Sequence, residues 1–422
     1  MSSASNAENL LPLTETVEPS DEPAVARVLR DARAAKTPVY PVGGGTNLGF
    51  GLRPTRPGIG LSTARLNHVV DYPSADLTIT VEAGLTMAEL NKRLAAQRQW
   101  LPIDVPQPGR ATVGGVVATN LCGPRRYAYG TIRDYLLGVR AVDGQGESFA
   151  SGGRVVKNAA GYNIPRLLAG SLGTLGVITQ VTFMVRPLPQ RSALVLCDVA
   201  DFEAVECLLV ALNRSRTFPV AIELLAGRIR TGCPLAPLPE EGIARLIVGF
   251  DGGEAEGQWM TSRLLVEWRA SGGAALTCVT GAGIGSVWKW LVNMSGNVQI
   301  NVLPSAVVRV VGEIVRQVPG VTVQSHAGSG TIEAAWSDPA ASGDAATGGG
   351  RSFARIVRET LRPIAVAAGG NMVVLSAPAD AELTAADVWG SETNGAAVVR
   401  AIRDQFDPDG ILNPGRFIFG NP

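Results

Sequence analysis

Three consecutive glycines, Gly43–Gly44–Gly45, follow the run Pro38–Val39–Tyr40–Pro41–Val42 and precede Thr46–Asn47–Leu48. A strand that ends in such a run must turn at once. It also presents bare backbone N–H groups with room for an anion to touch them. Thr46 and Asn47 add side-chain donors. An ordinary Gly-rich loop reads the same way. A dinucleotide G-x-G-x-x-G would need glycine where Leu48 stands, and a GxxxxGK[ST] loop would need a lysine that does not occur there. Both patterns fail, so the segment is an anion cradle of another kind or a plain turn.

Context narrows the choice. A chain of 422 residues exceeds one comfortable hydrophobic core and predicts two domains. Lys plus Arg (37) equals Asp plus Glu (37), so no overall field draws the chain to nucleic acid or an anionic membrane. The first residues, MSSASNAENLLPLTETVEP, lack the basic start and apolar run of a secretory signal. No run reaches the ~18 apolar residues of a membrane span. Cys122, Cys197, Cys207, Cys233 and Cys278 form no CxxC pair, against an iron–sulfur site or a disulfide framework in this chain. A cytoplasmic protein is expected, with any membrane association supplied by a partner.

Local patterns predict a helix over Asp21–Lys36 with Ser20 as N-cap, and strands at Pro38–Val42 and Leu77–Val81. A T-x-x-E capping box at Thr86 and Glu89 opens a helix over Met87–Arg98. A hairpin turns at Asp143–Gly144, and a strand over Gly176–Val185 ends at Arg186–Pro187–Leu188–Pro189, the expected domain boundary. Beyond it, helices are expected at Asp201–Asn213, Gln258–Ala270, Ser305–Val315, Arg351–Ala367 and Gly395–Gln405. Strands are expected at Arg245–Phe250, Val321–Ser325 and Met372–Leu375. Asp338–Gly350 reads as a surface loop. Helices and strands mix without strict alternation, so the class is α+β.

Two more glycine clusters follow the first. One is Gln107–Pro108–Gly109–Arg110–Ala111–Thr112–Val113–Gly114–Gly115, whose small residues suit a helix or turn packed on a flat ligand. The other runs from Gly170 to Ile178. In this order and spacing the clusters resemble the FAD-binding domain of the vanillyl-alcohol oxidase / p-cresol methylhydroxylase (PCMH-type) superfamily. Gly43–Leu48 is similar to its pyrophosphate loop, Thr112–Gly115 to its T-x-G-G segment, and Gly161–Thr179 to its late signature. Phe406–Asp407–Pro408–Asp409–Gly410–Ile411–Leu412–Asn413–Pro414–Gly415–Arg416 resembles the chain end of its glycolate and D-lactate dehydrogenase branch. Gly123–Pro124–Arg125–Arg126 and Val156–Tyr162 resemble the smaller FAD-binding subunits of bacterial glycolate oxidases (glycolate dehydrogenases) within that branch.

The resemblance implies a two-subdomain FAD-binding domain over residues 20–189 and an α+β cap, or substrate-like, domain over 190–400. A C-terminal segment, 401–422, would return to the flavin. It implies that FAD contacts Pro41, Gly43, Gly44, Gly45, Thr46, Asn47 and Leu48 at the pyrophosphate. Thr112, Gly114 and Gly115 would line the flavin side, and Gly176, Val177 and Ile178 the adenine side. Pro108, Gly130 and Asn413 complete the set, with Asn413 approaching the isoalloxazine ring. The family often has Asp where Asn163 stands, which removes a charge and keeps a hydrogen-bonding group. No histidine occupies the first loop, and Cys122 lies past the linking position, so non-covalent FAD is implied, with Cys122 a buried small residue.

Catalytic relatives in this branch resemble one another in a His-rich metal site. Here His326–Ala327–Gly328–Ser329–Gly330–Thr331–Ile332–Glu333 keeps its first histidine and replaces the second with Glu333. No metal site and no catalytic residue is assigned. His326 reads as a strand-end histidine with a hydrogen-bonded ring, and His68 as a loop or strand-edge residue. Val287–Trp288–Lys289–Trp290–Leu291 reads as core, the alternative being a subunit interface. Arg125–Arg126–Tyr127 could hold a carboxylate, an FAD phosphate or a partner. The function implied is an FAD-carrying subunit of a glycolate oxidase/dehydrogenase complex, passing electrons in the oxidation of a small 2-hydroxy acid, glycolate, to glyoxylate. The implied partners are a catalytic flavoprotein and an iron–sulfur subunit. Two alternatives stand beside it: a self-sufficient oxidoreductase using Tyr129 or Glu333 as base, and a scaffold that has lost FAD. Against the last, three adjacent glycines are costly in a loop that holds nothing.

Overall fold

A computed structural model of the chain describes residues 10–153, 162–229, 232–235, 243–293, 296–336, 349–392, 394–416 and 418. Two compact units emerge. Unit 1 comprises Met1–Cys122, Gly130–Leu188 and Ser391–Pro422; unit 2 comprises Gly123–Tyr129 and Pro189–Gly390. Val156–Gly161 of the Val156–Tyr162 segment, which includes the first residue of the late signature, lies outside the described residues, as do 338–348 of the expected surface loop.

Unit 1 holds β1 (Leu13–Val17), β2 (Val39–Val42), β3 (Gly58–Ser62), β4 (Val69–Asp71), β5 (Thr78–Glu82), β6 (Gln99–Trp100), β7 (Leu136–Val142), β8 (Ser148–Gly152), β9 (Val177–Met184) and β10 (Arg186–Pro187). A parallel sheet runs β1-β3-β2, an antiparallel sheet runs β4-β5-β9-β7-β8, and β6 pairs with β10.

Helix Glu22–Ala34 crosses from β1 to β2. Its N-cap is Asp21, not Ser20: the Asp21 carboxylate accepts the Ala24 N–H at 2.7 Å. Val25, Leu29 and Ala32 form its buried stripe and pack on Val39, Leu61, Leu66, Val142, Val177, Ile411 and Leu412. The chain end is thereby part of a core that both sheets of unit 1 share, each buried Val, Leu or Ile contributing about 1.5–3 kcal/mol. Helix Met87–Ala95 is capped by Thr86, whose hydroxyl accepts the Glu89 N–H. The Glu89 carboxylate turns instead to Arg93 at 2.7 Å, and the helix stops before Arg98, which has φ +55°.

Unit 2 holds β11 (Arg191–Val199), β12 (Ala221–Gly227), β13 (Ala244–Gly252), β14 (Ala275–Thr280), β15 (Val298–Asn301), β16 (Thr322–His326), β17 (Thr331–Ala335) and β18 (Asn371–Val374). They form one sheet in the order β14-β11-β13-β12-β16-β17-β15-β18, with every pair antiparallel. Helices Phe202–Arg214, Glu254–Ala270 and Val307–Gln317 belong to the same unit. Trp268 is fully buried and donates its indole N–H to the Leu208 carbonyl at 3.1 Å. Among the described residues no helix is long and apolar enough to cross a membrane.

Candidate functional site

A cleft in unit 1 encloses about 870 Å³ of space, part of it open to solvent. It sits where β2 gives way to the glycine run, outside the carboxyl ends of the parallel strands, where ligands of open α/β sheets collect. Pro41, Gly43, Gly44, Gly45, Thr46, Asn47 and Leu48 line one wall, and Thr112, Gly114 and Gly115 another. Gly176, Val177 and Ile178 supply a third, and Asn413 and Arg416 reach it from the chain end. Three segments far apart in sequence therefore converge. Pro108 and Gly130 are not among the lining residues. The Pro108 carbonyl accepts the Ala88 N–H, and Gly130 is a φ +78° turn against Asp134.

The loop is held open by its neighbours. A Cβ on Gly43 would lie 2.2 Å from Thr112 Oγ1 and one on Gly44 only 1.7 Å from the Arg110 carbonyl, while Gly45 has φ +68°. These glycines are thus demanded by the fold itself. The argument that only a ligand would justify them does not stand. What does point to a ligand is polarity. Among the described residues, no backbone N–H from Gly44 to Asn47 finds an acceptor in the chain. Donors in such a nest suit an anion.

Thr112 caps helix Val113–Thr119, its hydroxyl accepting the Gly115 N–H at 3.4 Å. The small residues of this short helix let it approach both Ala83 and the cleft: the Gly114 N–H donates to the Ala83 carbonyl at 2.7 Å. Asn163 keeps the hydrogen-bonding role expected of it, capping helix Ile164–Leu168 through the Arg166 N–H. Cys122 is partly exposed rather than buried, because it follows the end of the Val113–Thr119 helix instead of pointing into a core. It does not line the cleft.

The chain end is fixed to β2 by main-chain bonds. Val39 N–H donates to the Ile411 carbonyl and Asn413 N–H to the Val39 carbonyl, both at 2.8 Å. The Asn413 side-chain amide donates to the Leu172 carbonyl at 2.6 Å, so it links the tail to the third cluster. Asp407, 1% exposed, closes the turn by accepting the Ile411 and Leu412 N–H groups at 3.1 and 2.8 Å. Asp407→Ala leaves those buried donors unpaired and is expected to cost about 2–4 kcal/mol. Thermal denaturation and limited proteolysis beyond Phe406 should both register the loosened tail. A variant with wild-type melting and protection would remove Asp407 from this role.

Unit 2 carries a separate buried polar group. His326 ends β16, and its Nδ1 lies 2.8 Å from Glu223 Oε1; both side chains are almost wholly buried. Gln324 donates to Glu223 Oε2 at 2.7 Å. Burial works against a charged ring, but the charge and hydrogen bond of Glu223 outweigh it, so the His326 pKa is raised. Burial also raises Glu333, whose carboxylate accepts the Gly296 N–H at 3.3 Å. Tyr129 donates to Asp251 Oδ2 at 3.4 Å. Both bases of a self-sufficient enzyme are thus already engaged. Among the described residues no group of three or more His, Cys, Asp or Glu side chains could hold a metal ion.

Arg125 lies 3.8 Å over the Trp288 ring and pairs with Asp251 at 3.2 Å. Arg126 donates to Thr331 Oγ1 at 3.3 Å. Both guanidinium groups thus have partners inside unit 2. Helix Ile284–Val292 buries Val287, Trp288, Trp290 and Leu291, so the aromatic run is core. His68 is an exposed residue next to β4, with Nδ1 2.8 Å from Glu82.

An FAD binding domain family matches residues 14–151, and the C-terminal domain of FAD linked oxidases matches residues 390–417. The fold and the cleft are therefore those of an FAD-binding domain of the FAD-linked oxidase type. These two matched segments resemble the PCMH-type FAD-linked oxidase superfamily. The chain is 36% identical over 183 residues to glycolate oxidase subunit GlcE of Escherichia coli, covering 43% of this chain and 52% of that one. To a D-lactate dehydrogenase of Archaeoglobus fulgidus it is 35% identical over 244 residues, covering 56% and 53%. To a D-2-hydroxyglutarate dehydrogenase of Xanthomonas citri it is 33% identical over 187 residues, covering 44% and 40%. The chain spans about half the length, or less, of these curated relatives. A solved structure of alkyldihydroxyacetonephosphate synthase shares the fold at 18% identity and TM-score 0.65, over 94% of this chain and 75% of that one.

Proposed function

We propose that unit 1 binds FAD non-covalently in its cleft and that the chain serves as the FAD-binding subunit of a glycolate oxidase/dehydrogenase complex. In this reading the Gly43–Leu48 backbone and Pro41 meet the pyrophosphate. Thr112, Gly114 and Gly115 meet the flavin side, and Gly176, Val177 and Ile178 the adenine side. Asn413, tied to Leu172, holds the tail against the cleft. Pro108 and Gly130 drop out of the contact set. FAD, when bound, supplies the acceptor for the hydride of a 2-hydroxy acid. The residues of the cleft bind and orient it, while the two candidate bases of unit 2, Tyr129 and Glu333, are engaged with Asp251 and the Gly296 N–H.

That contrast carries the proposal: a complete cradle in unit 1, and in unit 2 a lone motif histidine sealed against Glu223. The similarity to the glycolate oxidase subunit of E. coli supports it. A catalytic flavoprotein would complete the substrate chemistry, and an iron–sulfur subunit would carry electrons onward. The assembly would work in the cytoplasm, and any attachment to a membrane would come through a partner. The purified chain with glycolate, without oxygen, should keep its oxidised flavin spectrum through a normal assay and bleach once the companion flavoprotein is added. Rapid bleaching of the chain alone would overturn the subunit reading.

A further inference from the structure

Arg416 lies in the wall of the cleft and is 5% exposed. Its Nη1 donates to the Phe50 carbonyl at 2.6 Å and its Nη2 to the Leu48 carbonyl. Its Nε is buried and finds no acceptor. Two carbonyls satisfy hydrogen bonds without cancelling a charge, and an uncompensated buried cation is expensive. Among the described residues, none of the charged groups acting on it is a carboxylate. Burial pulls its pKa down to about 10, Tyr40 opposes that, and the neighbouring cation Arg53 adds to it. Arg56 acts on Tyr40 as well, so the surroundings of Arg416 hold further cations. Arg416 is still charged at neutral pH.

We infer that Arg416 is the counter-cation of the cofactor's pyrophosphate. Its forked guanidinium bonds the Leu48 carbonyl at the end of the Gly43–Leu48 loop, where the free N–H groups of Gly44–Asn47 already call for an anion. The two observations are independent: one is a backbone nest, the other a buried side-chain charge. The chain end would then do more than close the cleft, because it supplies the cleft with charge. The inference rests on the reading that FAD occupies this cleft.

The test uses the full chain stripped of flavin, with ADP and riboflavin as probes of the pyrophosphate half and the ring half. Arg416→Met is expected to weaken ADP and FAD at least 10-fold, to leave riboflavin unchanged, and to flatten the salt dependence of ADP binding. Arg416→Lys keeps the charge without the fork and should lose less ADP affinity while retaining the salt dependence. Equal losses for ADP and riboflavin would reduce Arg416 to a structural staple, and unchanged ADP affinity would overturn the inference directly. So would weaker glycolate binding with ADP unaffected, since the anion would then be a substrate carboxylate. Gly115→Leu separates the two levels of the argument. If it leaves riboflavin and FAD binding intact, the cleft reading itself fails. If it abolishes riboflavin and FAD binding while Arg416→Met leaves ADP affinity unchanged, only the role of Arg416 fails.

Discussion

Gly115→Leu should abolish FAD retention while the protein stays folded. Gly115 lines the cleft from helix Val113–Thr119, and a Cβ there would meet only Thr112 Oγ1, at 3.2 Å. A leucine therefore extends into the cleft, not into the core. Its better helix propensity, worth about 1 kcal/mol over glycine, offsets the small adjustment at Thr112. Filling the flavin side should weaken FAD by about 100-fold or more, equivalent to about 2.7 kcal/mol. Gly44→Ala should behave in the opposite way. Its Cβ falls 1.7 Å from the Arg110 carbonyl, so the loop must move, at a cost on the order of 3 kcal/mol or more. Flavin absorbance after desalting, read beside a circular-dichroism melt, distinguishes the two. Stoichiometric FAD in the Gly115→Leu protein would remove the cleft as the cofactor site.

The second large effect belongs to unit 2. His326→Ala leaves Glu223, 0% exposed, without its cationic partner. Breaking a buried pair from one side costs about 3–5 kcal/mol. Replacing both partners by amides, Glu223→Gln with His326→Gln, should recover much of that loss. The pH dependence has a definite sign. Because the folded His326 pKa is raised, the pair's stabilisation is fully present below the unfolded value of 6.5 and is lost as pH rises through the folded value. Glu333, raised from 4.5, acts in the same direction at lower pH, and Arg126 faces both. The melting temperature of the wild type should therefore fall on the alkaline side of 6.5, and that of the double variant should not share this fall. Parallel profiles would show that the pair does not titrate in this way.

Several elements were legible without the structure because their signals are local. Thr86 caps its helix within three residues of the side chain's own position, as its T-x-x-E pattern predicts, while the first helix was read correctly but with its cap one residue early, at Ser20 instead of Asp21. The hairpin of β7 and β8 follows from the Asp143–Gly144 turn, the Asp143 carboxylate accepting the Gln145 and Glu147 N–H groups. Strands β11 and β12 escaped the sequence reading. Both are buried along most of their length, with no alternation of apolar and polar residues, so period-two patterning is silent there. The partners of Arg125 and Arg126 were equally hidden, because Asp251, Trp288 and Thr331 lie more than a hundred residues away in sequence.

The glycine run shows the division most clearly. By itself the sequence determined that the chain turns sharply after β2, that neither common nucleotide pattern applies, and that three small-residue clusters recur in the order of an FAD domain. Those conclusions rest on local conformational freedom and on spacing. Only the tertiary structure decided why the glycines are there and which charge accompanies them. Gly43 and Gly44 answer to the chain at Arg110–Thr112, and the buried cation comes from Arg416, more than 360 residues beyond Leu48. Close approach and burial are properties of segments brought together by folding, and no local pattern in either segment encodes the other.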